Sequence, residues 1–144
     1  MEKEKKTISV HIEVKLDQGL LSRGSNRSEV LNRDLGRLYD IYRYELSAME
    51  FSPGEARLLA ETLKYWHPDA GMARHLWNVV DDAIRLDRVD EKYGTDGQAL
   101  VKKLRGLSIS QALAITDAIE RYWQAVARGR QPALEDYLPV KPAE

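Results

Sequence analysis

The chain has 144 residues, of which 43% are hydrophobic and 31% charged. These are proportions of a globular domain rather than a disordered chain. Lys and Arg total 22 and Asp and Glu 23, a net charge of −1, without the basic surplus of a protein that coats nucleic acid by charge. Cysteine is absent, which excludes disulfides, zinc–thiolate sites and thiol nucleophiles, and the three His at 11, 67 and 75 leave few candidates for a catalytic or metal centre.

The opening MEKEKK is charged and is followed by alternation, not by an apolar stretch. It does not read as a signal peptide. With no run of about 18 apolar residues, the sequence predicts no membrane span and a cytoplasmic protein.

Residues 7–16, TISVHIEVKL, alternate apolar Ile8, Val10, Ile12, Val14 and Leu16 with polar neighbours. Period-two patterning with β-branched residues predicts a strand. Its end is left open, because 13–22 also accommodates a short helix with Leu16 and Leu20 one turn apart. Ser25 or Asn26 then caps a long helix, whose stripe runs Leu31, Leu35, Leu38, Tyr42, Leu46 and Met49.

Beyond it the pattern is helical throughout. Ser52-Pro53-Gly54-Glu55 reads as a capping box with Pro in the first turn, opening a helix to about Trp66. A helix over about 70–86 has Met72, Leu76, Val79, Val80 and Ala83 on its inner side. Asp96 caps a short helix from Gly97 to Leu104. Ser108–Gln111 is a second capping box, opening a helix with Ile109, Leu113, Thr116, Ile119, Trp123 and Val126 on one stripe. After Gly129 the prolines at 132, 139 and 142 predict a loose tail.

A lone strand cannot satisfy its own backbone groups, and an unpaired strand is a template for another chain. Pairing with the same strand of a second copy resolves this, and two-fold symmetry makes the pair antiparallel. Such a ribbon buries Ile8, Val10 and Ile12 and presents Thr7, Ser9 and His11 twice on its outer face. A two-stranded ribbon fits the major groove, and hydroxyls and an imidazole can both donate to and accept from base edges. The following helix start suits a phosphate, with Arg27 in its first turn and Lys5 and Lys6 ahead of the strand.

ISVHI, a short amphipathic segment and then Gly24-Ser25-Asn26-Arg27-Ser28-Glu29-Val30-Leu31 resemble the ribbon-helix-helix proteins of the Arc/MetJ type. The resemblance covers residues 5–50. Asn26 stands where that family commonly caps with Ser, and Glu13 where a Pro is frequent after the strand. The resemblance implies a DNA-binding homodimer, with two dimers on adjacent half-sites. It places base contacts on Thr7, Ser9 and His11 and the helix phosphate clamp on Ser25, Asn26, Arg27 and Ser28. Lys5 and Lys6 complete the phosphate set.

The expected organisation is mainly α. Residues 1–50 form a ribbon-helix-helix DNA-binding and dimerisation domain, residues 51–130 a helical domain and residues 131–144 a flexible tail. The expected function is a transcriptional repressor or autoregulator acting on double-stranded DNA, without catalysis, cofactor or metal. The alternative is an antitoxin-like or plasmid-maintenance interaction module, in which the ribbon only dimerises and residues 51–130 hold a protein partner. Trp66, His67, His75, Trp77, Asp81, Asp82 and Glu91 do not have the spacing of a metal or catalytic motif and read as aromatic core and solvated acids. By region, residues 1–43 hold nine Lys/Arg against seven Asp/Glu, and residues 44–144 hold 13 against 16.

Overall fold

The computed structural model describes residues 16, 18, 19 and 26–142. Leu16, Gln18 and Gly19 are helical, so the last apolar position of the alternation belongs to the short helix that the sequence offered as an alternative. Thr7, Ser9, His11, Lys5, Lys6 and Ser25 lie outside the described residues, as do residues 7–15 of the expected strand pattern over 7–16.

Seven α-helices and one 3-10 turn follow among the described residues. They are α1 (Arg27–Ser47), α2 (Pro53–Thr62), α3 (Ala70–Ala73), α4 (Leu76–Asp87), α5 (Val89–Lys92), α6 (Gly97–Arg105), α7 (Ile109–Ala127) and η1 (Leu134–Asp136). The chain is mainly α, as its periodicity predicts. No described helix is long and apolar enough to cross a membrane.

Local chemistry sets where the helices begin. Asn26 Oδ1 accepts the Glu29 N–H at 3.1 Å and starts α1. Ser52 Oγ accepts from the Glu55 N–H at 3.1 Å while Glu55 Oε1 accepts from the Ser52 N–H at 2.9 Å. Ser108 and Gln111 repeat the exchange at 3.1 and 2.9 Å to start α7. Asp69 and Asp96 cap α3 and α6. Each side chain satisfies an amide that the first helical turn leaves without an intrahelical partner.

The helix expected over 70–86 is broken at Arg74–His75. The break brings Ala73 and Leu76 inward together, both at most 1% exposed, while Met72, expected inside, is 52% exposed. Helix α5 was not legible in the sequence. Arg88 reaches it in the left-handed region, φ 50°, and turns the chain there with its N–H bonded to the Ile84 carbonyl. Such a conformation is uncommon outside glycine and asparagine.

Two compact units divide the chain, residues 1–39 and 40–144. The sequence puts the boundary near residue 50. The division falls inside α1 because Tyr42, Leu46 and Met49 belong to the core of the second unit. That core is built on Phe51, Leu58, Leu59, Leu63, Leu76, Leu100, Ile115 and Ile119, each at most 2% exposed. Burying such side chains contributes about 1.5–3 kcal/mol each. Small residues Ala112, Ala114 and Ala118 on α7 let neighbouring side chains approach closely.

The segment expected as a loose tail is anchored. Leu138 is 1% exposed. The Phe51 N–H donates to the Pro139 carbonyl at 2.9 Å, the Lys141 N–H donates to the Phe51 carbonyl at 2.6 Å, and Phe51 and Val140 form an isolated parallel bridge. Proline punctuation marked the segment as irregular, but its apolar side chains and backbone groups find partners far away in sequence.

Candidate functional site

Of the residues assigned to DNA contacts, the structure describes Asn26, Arg27 and Ser28. All three are exposed at the start of α1, a 21-residue helix whose N-terminal dipole end favours an anion. In the same unit, Val30 is 2% exposed, whereas Leu35 and Leu38 are 43% and 41% exposed. Further along the same stripe, Tyr42, Leu46 and Met49 are packed. The apolar stripe of α1 is therefore uncovered at Leu35 and Leu38.

Among the described residues the second unit carries a smaller and a larger recess. The smaller, about 150 Å³, is lined by Tyr42, Trp66, His67, Pro68, Leu113, Thr116, Asp117 and Glu120. His67 Nδ1 lies 3.6 Å from Glu120 Oε2, and Asp117 is held by Arg121 at 3.0 Å. Burial, with the Asp117 carboxylate nearby, pushes the Tyr42 phenol above its ordinary range.

The larger, about 530 Å³, is a groove between the exposed side of α2, the turn at Tyr93, helix α7 and η1. Its walls are Arg57, Ala60, Glu61, Lys64, Tyr65, Tyr93, Tyr122, Trp123 and Leu134. The Trp123 indole N–H donates to the Ala60 carbonyl at 2.9 Å. Tyr122 meets Trp123 edge-on at 5.0 Å and Tyr137 at 5.9 Å. Lys64 Nζ lies 4.2 Å from the Trp123 ring centroid and 5.2 Å from that of Tyr65, distances at which a cation is attracted to a ring face.

Glu61 is taken up from the far side of this groove. Lys92 Nζ is 2.7 Å from Glu61 Oε1. The Lys92 ammonium, and after it the Tyr93 hydroxyl, hold the carboxyl below its usual range. The same hydrogen bond pushes the Tyr93 phenol up, with burial adding to it. Gly54 lets the Tyr93 segment approach α2, because a Cβ there would sit 2.8 Å from the Tyr93 carbonyl oxygen.

Comparison with protein-family models, with curated proteins and with solved structures gave no match.

Of the aromatic, histidine and acidic residues singled out in the sequence, Trp66 and His67 share the smaller recess, and the others make separate contacts. Trp77 stacks under Arg105 at 4.3 Å. Asp81 and Asp82 both pair with Arg85, Glu91 pairs with Arg88 and His75 accepts from Arg74. Among the described residues no group of three His, Asp or Glu can hold a metal ion. The larger groove was missed, because its walls come from four separate stretches of chain. The available signal was the adjacent aromatic pair Tyr122 and Trp123; Tyr137 falls in the segment expected as a tail.

Proposed function

We propose that the protein is a cytoplasmic homodimer that reads double-stranded DNA through a two-stranded ribbon, as a transcriptional repressor or autoregulator. The observation that carries the reading is the uncovered stretch of the α1 stripe at Leu35 and Leu38, following a segment whose alternation calls for a partner strand. A second copy supplies a partner for both in one symmetric assembly. In that assembly Thr7, Ser9 and His11 face the base edges, and Asn26, Arg27 and Ser28 with Lys5, Lys6 and Ser25 face phosphates. The surplus of two positive charges in residues 1–43 is doubled in the dimer.

Selection of bound sequences from random duplex DNA by the full chain tests this reading. Enrichment of a short motif is expected, with affinity that falls steeply as salt rises. His11→Ala lowers discrimination between the motif and random duplex, and Arg27→Ala weakens both about equally. No enrichment, or binding unaltered by either substitution, contradicts it.

The groove on the second unit favours a second reading, an interaction module in which the ribbon only dimerises. Tyrosine and tryptophan beside cations are characteristic of binding surfaces. A partner that co-purifies equally well with the chain lacking residues 1–12, with no DNA motif selected, would favour it.

A further inference from the structure

Two cations line the groove without a carboxylate partner among the described residues, and the reason is visible for each. Arg57 and Glu61 are one helical turn apart on α2, the spacing at which they ordinarily pair. Glu61 is instead held by Lys92 at 2.7 Å and by Tyr93, and Arg57 makes no ion pair among the described residues. Lys64 is directed over the Trp123 ring and likewise has no carboxylate. Among the lining residues Arg57 and Lys64 stand against Glu61 alone, and Glu61 is already paired with Lys92.

Around these cations stand Tyr65, Tyr93, Tyr122 and Trp123. Tyr65 is 81% exposed. Trp123 is fixed by its bond to Ala60 and Tyr122 by edge contacts on two sides, so two of the aromatic walls are pre-set, which lowers the cost of ordering them around a ligand. The volume of about 530 Å³ lies within the ~300–1,000 Å³ of small-molecule sites.

The geometry points to a binding site for a small planar aromatic anion, its ring among the aromatic walls and its anionic group on Arg57 and Lys64. A phosphate or a carboxylate satisfies this chemistry equally, since guanidinium and ammonium bind both. All these groups lie in the second unit, so the inference stands whether or not the ribbon reads DNA.

Titration calorimetry on the full chain tests it with four probes: adenosine monophosphate, 2-naphthoate, adenosine and inorganic phosphate. One molecule of adenosine monophosphate or of 2-naphthoate is expected per chain, and the tighter of the two identifies the anionic group. Adenosine and inorganic phosphate bind roughly ten-fold or more weakly, each lacking half of the contacts. Arg57→Ala, at an exposed helix position, weakens the anion by a similar factor, and Arg57→Lys restores part of it. Lys64→Ala gives a comparable loss. The site is overturned if neither aromatic anion binds, if adenosine binds as tightly as its phosphate, or if Arg57→Ala leaves affinity unchanged.

Discussion

The Trp123 indole N–H and the Ala60 carbonyl, 2.9 Å apart, join α7 to α2. Ala60 lies in the last turn of α2, where carbonyls have no intrahelical donor. One side chain therefore completes the end of one helix from another and, in the same pose, presents its ring to the groove.

Trp123→Phe keeps much of the ring and removes the donor. We expect a loss of about 1 kcal/mol, that of a net hydrogen bond, read as a lower denaturant midpoint at unchanged slope. Equal midpoints would show that water replaces the indole at that carbonyl without cost.

The C-terminal anchor is a second consequence of packing. Leu138→Ala removes a side chain that is 1% exposed and should cost about 2–5 kcal/mol, measured by thermal or urea unfolding. Ending the chain at residue 130 removes Leu138 and the partners of Phe51 together, and should destabilise the second unit at least as much. A truncated chain as stable as the full one would contradict the anchoring.

Ser52→Ala and Ser108→Ala each remove one half of a capping box. Each should cost about 1 kcal/mol, with the two losses close to additive because the boxes are separate. Chemical denaturation of the single and double variants checks both points.

These boxes were legible in the sequence because capping is local, spanning Ser52 to Glu55 and Ser108 to Gln111. The start of α1 at Asn26 was legible for the same reason. The pairing of Phe51 with Val140, the break at Arg74–His75 and the groove were not. Phe51 finds its partner across almost ninety residues, and no local pattern encodes that. Glu61 pairs with Lys92, 31 residues away, and not with Arg57 one turn along α2, a choice that local spacing does not encode. Periodicity places Trp123 on the apolar stripe of α7 without saying how deeply it is covered. Trp123 and Tyr122 are only partly buried.

Glu61 and Tyr93 give a pH signature. The folded carboxyl titrates below its ordinary value because Lys92 and Tyr93 bond its charged form. Its contribution to stability is present above the unfolded value and is lost as pH falls through the folded one. The phenol is raised, first by its bond to Glu61. Its contribution is present below the unfolded value and is lost as pH rises through the folded one. In Glu61→Gln the charged acceptor is gone, so Tyr93 should ionise at lower pH. Tyr42, raised chiefly by burial, should not move. Ultraviolet titration of the phenols in both proteins reads this directly, and superimposable curves would contradict the coupling.

The proposed function depends first on two copies of the chain forming one ribbon. Leu38→Glu, on the uncovered stretch of α1, should weaken that association without unfolding the second unit. The most direct measurement is the mass of the full chain by sedimentation equilibrium over a wide concentration range. Twice the chain mass of 16.5 kDa is expected, falling toward a single chain in Leu38→Glu. A mass of 16.5 kDa at every concentration would contradict it.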